Sequence, residues 1–188
     1  QWEKYSVIVK AELDKNLLIP VFNNKDRLVL RTDSGCETGQ VFGDLTCECH
    51  GQLHLVLKTL EEIGEGMLIN IPRQDGRGMG LTFKLATLWI QDVLGVNTVE
   101  SATLLAPGGV IDIRTYSGVI CILKFFGISK ACRINLATNN PDKAEVFVEN
   151  GYTVDDYIPI VIEPNEHTET HLQAKQDHLG HKGLIKKR

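Results

Sequence analysis

Three of the five cysteines lie close together, and this spacing restricts how the surrounding chain can fold. Cys36, Cys47 and Cys49 fall in the segment CETGQVFGDLTCEC, whereas Cys121 and Cys132 lie far downstream in apolar surroundings. An odd-numbered cluster does not suit paired disulfides, whereas three thiolates and one open position are typical of a catalytic zinc site. The segment therefore predicts that these three sulfurs meet as the ligands of one metal ion.

Two other interpretations of the cysteine cluster stay open. His50 follows Cys49 directly and could complete a structural zinc site with four protein ligands. The three thiols could also hold no metal at all. Catalytic zinc is the interpretation we favour, because a cysteine triplet is a stronger metal signal than a single pair. We expect Cys121 and Cys132 to be small buried apolar residues.

Length and charge narrow the class of protein. A chain of 188 residues with 43% hydrophobic residues can form one sizeable globular domain. The net charge of -4 argues against a general nucleic-acid binder but allows a local basic site for a small anion. Because no apolar run reaches about 18 residues and no leader precedes the first strand, we expect a soluble cytoplasmic protein without a membrane partner. The first residue, Gln1, suggests that the true start lies upstream.

Apolar runs alternate with helical stripes along the chain. Short β-like runs are typical of strands, and apolar residues at helical spacing that stop at a glycine are typical of helices. This alternation predicts an α/β (α+β) fold, with a mixed β-sheet flanked by helices in a single compact domain. We expect a catalytic domain over 1–164, a polar arm over 165–188 and a frayed end at 186–188. The predicted strands are 6–9, 17–19, 27–30, 67–71 and 134–137, and the predicted helices are 53–63, 81–94, 119–126 and one that Pro141 begins.

Three polar segments offer further chemistry, and each has a plainer interpretation. The glycine-rich loop RQDGRGMG, 73–80, could hold an anion with its arginines and backbone N–H groups, or it could be a solvated turn. Asp112, Arg114 and Tyr116 share one face if the segment is extended, but could be an exposed acid–base pair near a helix start. The segment TNNP with Lys143 could bind an anion, or its asparagines could be simple helix caps.

The order of these motifs resembles that of the GTP cyclohydrolase II family. The resemblance covers about residues 31–181, and ordered matches of this kind are far more specific than one motif. The matching features are the cysteine spacing, RQDGRGMGL at 73–81, TVE at 98–100, DIR at 112–114, TNNP at 138–141 with Lys143, and Gly180 with His181.

This resemblance implies a reaction and a set of site residues. Such enzymes open the imidazole ring of GTP at C8 and release formate and pyrophosphate, which begins riboflavin synthesis. They use zinc and magnesium and are usually homodimers. The resemblance makes Asp112 a proton acceptor and places Arg114 at the nucleotidyl phosphate, where we favour electrostatic stabilisation because a guanidinium stays protonated. The implied substrate-binding residues are Arg31, Thr32, Asp33, Ser34, Gly35, Gln52, Asp75, Gly76, Arg77, Thr98, Thr138 and Lys143.

The chain also departs from the family pattern. Asp33-Ser34-Gly35 stands where His-Ser-Glu is usual, and Thr46 replaces an arginine, so a substrate with fewer phosphates is conceivable. Leu88 lies where the family carries a tyrosine, unless Leu88 is an ordinary core residue displaced by a small insertion. Without that hydroxyl, a secondary-pathway enzyme could stop after one hydrolysis and keep a formamide. A catalytically silent nucleotide-binding homologue is the remaining alternative.

Overall fold

The computed structural model describes residues 4–185, and the predicted tail at 186–188 lies outside the described residues. A mixed five-stranded sheet and several helices make up this part of the chain, so the predicted α/β class is confirmed. The strands are β1 (Ser6–Lys10), β2 (Glu12–Leu13), β3 (Pro20–Val21), β4 (Arg27–Ser34), β5 (Gly66–Ile71), β6 (Arg133–Ala137) and β7 (Thr153–Ile158). The α-helices are α1 (Glu37–Gln40), α2 (Cys49–Ile63), α3 (Leu81–Leu94), α4 (Thr98–Leu105), α5 (Ser117–Phe125), α6 (Glu145–Glu149) and α7 (Glu169–His178).

The main sheet has the strand order β1-β5-β4-β6-β7. Strand β1 is antiparallel to β5, whereas β6 is parallel to both β4 and β7. In the parallel pair Leu28 lies opposite Ile134 and Leu30 opposite Leu136, and all four side chains are buried. Such apolar runs are typical of parallel strands that are covered on both faces. Strands β2 and β3 form a separate antiparallel pair.

Contacts divide the chain into two compact units. The first comprises Gln1–Asp33, Leu53–Asn70 and Thr115–Ile160, and the second Ser34–Gln52, Ile71–Arg114 and Val161–Arg188. One hydrophobic cluster of the first unit is built on Val56, Leu60, Leu68, Ala137 and Ile160. The second unit carries the cysteine cluster, the glycine-rich loop and α7. The expected division into a domain over 1–164 and an arm over 165–188 stays a prediction.

The glycine stops place helix ends where the sequence predicts them. Helix α3 has the predicted bounds, and Gly95 follows it with a left-handed φ of 64° and an N–H that donates to the Gln91 carbonyl. Gly64 follows α2 with a φ of 86°. A residue in this conformation directly after a helix is usually glycine, because a Cβ would be strained there. Strands β5 and β6 and helix α5 also lie within a residue or two of their predicted bounds.

One predicted strand is wrong, and two other segments need a more detailed description. The segment 17–19 is a turn and not a strand, because the Asp14 carboxylate accepts hydrogen bonds from the N–H groups of Asn16 and Leu17. Residues 111–116 have no regular secondary structure, and the Arg114 N–H donates to the Asp112 carboxylate. The helix expected from Pro141 is present: it begins as a 3-10 turn, Pro141–Ala144, and continues as α6.

Other features of the fold lay outside the predictions. Helices α1, α4 and α7 and strand β7 were not expected from the apolar pattern. Cys132 is buried as predicted, but Cys121 is exposed, because it lies on the outward side of α5 while Val119, Ile120 and Leu123 are buried. Within residues 4–185, none of the helices combines the length and the apolar character that a bilayer crossing requires.

The central position of β6 predicts a large stability effect. Leu136 is fully buried between two parallel neighbours, so Leu136→Ala should lower the free energy of unfolding by about 3 kcal/mol through lost contacts and a cavity. Leu104→Ala on α4, where the side chain is 64% exposed, is the control and should change it by less than about 0.5 kcal/mol. Chemical denaturation measures both; equal effects would contradict this packing.

Candidate active site

The structure brings the three predicted thiols together. Cys36 directly precedes α1, Cys47 lies just before α2, and Cys49 is the first residue of that helix. Their sulfur atoms all lie within 4.8 Å of one another, and none forms a disulfide. Cys36 and Cys47 are buried and Cys49 is partly buried. This spacing suits three ligands of one ion.

Gly39 allows the thiols to approach one another. A Cβ at this position would lie 2.6 Å from the Cys47 sulfur, 3.0 Å from the Cys49 Cβ and 3.5 Å from the Cys36 sulfur. Real Cβ atoms do not approach a sulfur so closely, so the backbone of α1 can lie against the thiols only without a side chain. The missing side chain of Gly39 therefore leaves the space in which the three thiols meet.

The candidate ligand group consists of three thiols within the described part of the chain. Neither a histidine nor a carboxylate joins this group among residues 4–185, and His50 is exposed. The observation fits a zinc site with an open position better than a structural site with four protein ligands.

The thiols share their protons unevenly. Hydrogen bonds from Cys47 and Cys49 hold the pKa of Cys36 below its ordinary value, and the contact with Cys36 raises the pKa of Cys47 to about 11. The Thr38 hydroxyl lies 3.4 Å from the Cys36 sulfur and also stabilises its thiolate. Without a bound ion, these shifts favour a protonation state in which Cys36 is a thiolate that accepts hydrogen bonds from the other two thiols.

A buried ion pair lies beside the cluster, and the sequence did not reveal it. The Glu48 carboxylate, between two predicted ligands in the chain, receives a 2.7 Å hydrogen bond from Lys175 Nζ on α7. Glu48 also accepts a 3.4 Å hydrogen bond from the Gln52 side chain. The position of Glu48 between two cysteines was a usable signal, whereas Lys175 had none because 127 positions separate the pair.

The loop between Cys36 and Cys47 contains a second internal ion pair. Asp44 lies 3.7 Å from Lys84 of α3, and its other oxygen accepts hydrogen bonds from the N–H and hydroxyl of Thr46. Thr46 thus fixes the carboxylate of Asp44 where the family pattern has an arginine. Lys84 still supplies a positive charge to this loop.

The glycine-rich loop folds against two other parts of the second unit. The Asp75 carboxylate accepts a 2.8 Å hydrogen bond from the Glu37 N–H at the start of α1. Gly76 and Arg77 both have left-handed φ values, of 56° and 57°. A Cβ on Gly78 would lie 3.2 Å from Arg114, so the loop contacts the segment that carries the predicted acid–base pair.

Asp112 and Arg114 form an ion pair with three side-chain contacts, one of which joins Arg114 Nη2 to Asp112 Oδ2. Arg114 Nε lies 3.0 Å and 3.2 Å from the two carboxylate oxygens of Asp112. Burial alone would raise the pKa of Asp112, but the hydrogen bonds and positive charge of Arg114 outweigh it and hold that pKa below its ordinary value. Asp112 is therefore ionised at neutral pH and able to accept a proton. Arg77 lies near this pair and donates to the carbonyl of Thr98 at 3.3 Å.

In the first unit, predicted contact residues meet where β4 and β6 end. Lys143 Nζ donates to the Thr32 carbonyl at 2.8 Å and lies 5.5 Å from the centre of the Tyr116 ring. Thr32, Thr138 and Lys143 are buried. The carboxyl ends of adjacent parallel strands are where α/β sheets usually bind ligands.

Arg31 and Asp33 are bound to each other in the same region. Arg31 Nη2 lies 3.1 Å from Asp33 Oδ1, and Arg31 Nη1 donates a 3.0 Å hydrogen bond to the Ala137 carbonyl. Asp33 also accepts a 3.0 Å hydrogen bond from Asn70. The acidic residue that departs from the family pattern thus neutralises a neighbouring arginine inside the first unit.

The asparagines of the TNNP segment have structural partners. Asn140 caps the turn at Pro141 by accepting from the Asp142 N–H at 3.0 Å, and Asn139 accepts a 2.8 Å hydrogen bond from the Ile160 N–H. Their interpretation as caps and structural anchors is the one that the contacts support. Of the remaining predicted residues, Ser34 ends β4, and the Gly35 N–H donates to the Ile71 carbonyl at 2.8 Å.

The close approach of Gly39 predicts that a methyl group there disrupts the cluster. In Gly39→Ala the new Cβ would overlap the Cys47 sulfur, so binding of zinc or cobalt should weaken by at least about tenfold while the sheet stays folded. Glu37→Ala, at an exposed side chain of the same helix, is the matched control and should bind normally. Competition with a colorimetric chelator measures both affinities, and normal binding by Gly39→Ala would contradict this geometry.

Comparison with known proteins agrees with the sequence motifs. The model of a family described as GTP cyclohydrolase II matches residues 5–159. The GTP cyclohydrolase-2 of Picrophilus torridus is 38% identical over 157 residues, which are 84% of this chain and 78% of the relative. That of Shewanella piezotolerans is 34% identical over 165 residues, 88% of this chain and 77% of the relative.

A second type of relative is longer. The riboflavin biosynthesis protein RibBA of Phocaeicola vulgatus is 36% identical over 154 residues, which are 82% of this chain but 36% of that protein. The chain therefore spans much less than half of the length of this relative. On the family match and the identity to both types of relative, the chain belongs to the GTP cyclohydrolase II family of hydrolases.

Proposed function

We propose that this protein hydrolyses the imidazole ring of GTP at C8 and releases pyrophosphate, which yields a pyrimidine product. The observation that carries the proposal is the group of three thiols that no histidine or carboxylate of the described residues completes. An ionised carboxylate, Asp112, lies in the same unit. The names of the relatives point to the same substrate and to riboflavin biosynthesis.

The three thiols fit a resident zinc ion. Cys36, Cys47 and Cys49 would hold it, and their softness and spacing match the preferences of zinc. Bound zinc supplies activation of water as a nucleophile at neutral pH. The rest of the reaction depends on the side chains of the chain.

Asp112 is our proposed proton acceptor. Its pKa lies below the ordinary value because of Arg114, so the carboxylate is ionised at neutral pH but is a weak base while that contact lasts. Loosening of the contact would strengthen Asp112 as the acceptor of a proton from attacking water, which it could deliver later to a ring nitrogen. Arg114 holds this carboxylate in place through Nε and Nη2 of its guanidinium. Arg114 would therefore have to release at least one of these contacts to act on a phosphate.

Positive charge supports a nucleotide substrate. Burial and the nearby charge of Arg114 both lower the pKa of Arg77, so these two cations of the second unit lie close together. Guanidinium groups suit phosphate oxygens. Lys143 is the corresponding cation of the first unit. The resemblance adds magnesium on the nucleotide phosphates, a homodimer and a cytoplasmic location, without a nucleic-acid or membrane partner; these parts of the proposal stay predictions.

One residue favours a second candidate function. Leu88 lies partly buried on α3 and has no hydroxyl to position water or relay a proton. If formate release needs a tyrosine there, this enzyme would keep the formyl group on the opened ring. The ion pair between Arg31 and Asp33 favours a substrate with fewer phosphates, since an arginine whose charge is neutralised binds phosphate less strongly.

One assay separates these functions. The zinc-loaded protein is incubated with GTP and magnesium while ultraviolet absorbance, formate and pyrophosphate are followed. Equal amounts of formate and pyrophosphate support the main proposal, and a formamide without formate supports the second candidate. GDP and GMP are tested in parallel incubations. If none of the three nucleotides changes, the result supports a catalytically silent nucleotide-binding homologue.

The role of Asp112 predicts a loss of turnover without a loss of metal. Asp112→Asn keeps the shape but not the base, so kcat should fall by at least about 100-fold. Zinc content should stay at the wild-type value, because Asp112 is not one of the clustered ligands. Asp92→Asn, at an exposed position of α3, is the control. Wild-type turnover by Asp112→Asn would remove Asp112 from the mechanism.

Position 88 has a prediction of its own. If the wild-type protein retains the formamide, Leu88→Tyr should release formate, because a hydroxyl would return to this face of α3. Phenylalanine at the same position adds the ring without the hydroxyl and serves as the control. Mass spectrometry of the products measures the difference; identical products from all three proteins would show that position 88 does not control formate release.

A further inference from the structure

The Glu48–Lys175 ion pair lies deeper in the protein than an ordinary surface pair. The Glu48 side chain is 3% exposed and that of Lys175 is 16% exposed. One oxygen of Glu48 accepts from Lys175 and Gln52, whereas the other, Oε2, is buried without a hydrogen-bond partner among the described residues. A buried carboxylate in this state depends strongly on the cation that it contacts.

The position of Glu48 connects the pair to the thiols. Its neighbours on either side are Cys47 and Cys49, so any movement of its backbone moves two of the three sulfurs. The same carboxylate contacts Gln52 one turn further along α2. Lys175 therefore acts on both the thiols and a predicted nucleotide contact through one side chain.

Charge gives the cation a second effect. Glu48 adds a buried negative charge next to sulfurs that bind metal as thiolates, and like charges at such distances repel. Lys175 offsets that charge through its 2.7 Å contact with the carboxylate. Lys175 lies on α7, beyond the residues 5–159 that the family model matches.

We propose that Lys175 is a positioning residue for the metal centre, which holds Glu48 and thereby fixes Cys47 and Cys49 in the geometry that binds the ion. Through this contact α7 is joined to the segment that carries Cys47 and Cys49. The inference rests on the proposed zinc function, since it assigns the pair to the support of that metal.

The test replaces zinc with cobalt, whose thiolate charge-transfer and visible absorption bands report ligand geometry directly. Lys175→Met removes the cation and leaves a carboxylate buried without its partner. Its cobalt affinity should fall about 10–100-fold, as is typical when a partner of a metal ligand is lost, and its visible bands should change. Lys182→Met, at an exposed lysine of the same C-terminal segment, should leave both readouts unchanged.

Two further variants separate charge from packing. Glu48→Gln combined with Lys175→Met removes both charges and should recover the part of the affinity that the unpaired buried charge costs, while its visible bands stay altered because the contact that positions Cys47 and Cys49 is absent. Lys175→Arg keeps the cation and should bind cobalt nearly as the wild type does. These two variants keep the test decisive if Lys175→Met alone does not fold.

Each outcome bears on one claim. Wild-type spectra and affinity in Lys175→Met would overturn the positioning role. A double variant that binds as weakly as Lys175→Met, or a Lys175→Arg variant that loses the same affinity, would overturn the part played by charge. If the wild-type protein itself shows no thiolate bands with cobalt, the metal centre of the proposed function fails, and that result is distinct from both.

Discussion

The close contact between the backbone of α1 and the cysteine sulfurs is the constraint on which the candidate active site depends. Gly39 leaves room for three sulfurs that come from both ends of a loop, and a single methyl group would fill that room. Around it, Asp75 ties the glycine-rich loop to α1, and that loop in turn contacts the segment of Asp112 and Arg114. In the second unit, the packing at Gly39 thus makes room for the thiols, and the charged residues Asp75, Asp112 and Arg114 are connected to it through the glycine-rich loop.

In the first unit, the buried charged residues bind one another or a backbone carbonyl. Near the carboxyl end of β4 and just after β6, polar groups satisfy one another: Lys143 binds the Thr32 carbonyl, and Arg31 binds Asp33. A cation whose bonds are already made attracts phosphate less than a free one. The departure of this chain from the family pattern at Asp33 therefore changes the local charge balance without exposing a new charge.

Much of the fold could be predicted because its signals are local. Apolar spacing and the glycines after α2 and α3 fix those helices, and apolar runs fix β5 and β6. The turn at 17–19 could not be predicted from its apolar residues, since the side chain of Asp14 determines it. Helix α7 has a polar sequence, and its contact with Glu48 joins positions far apart in the chain. Cysteine spacing predicted that the three thiols meet, but the space at Gly39 and the pairing of Lys175 depend on tertiary structure.

The central claim is that the three cysteines, and no other side chain, hold one zinc ion with an open position. X-ray absorption spectroscopy of the zinc-loaded protein tests it most directly, because it counts sulfur and lighter ligands around the metal. The account predicts one zinc per chain with three sulfurs at about 2.3 Å and a single oxygen from water at about 2.0 Å. A histidine nitrogen or a fourth protein ligand in the coordination shell, or fewer than three sulfurs, would contradict it.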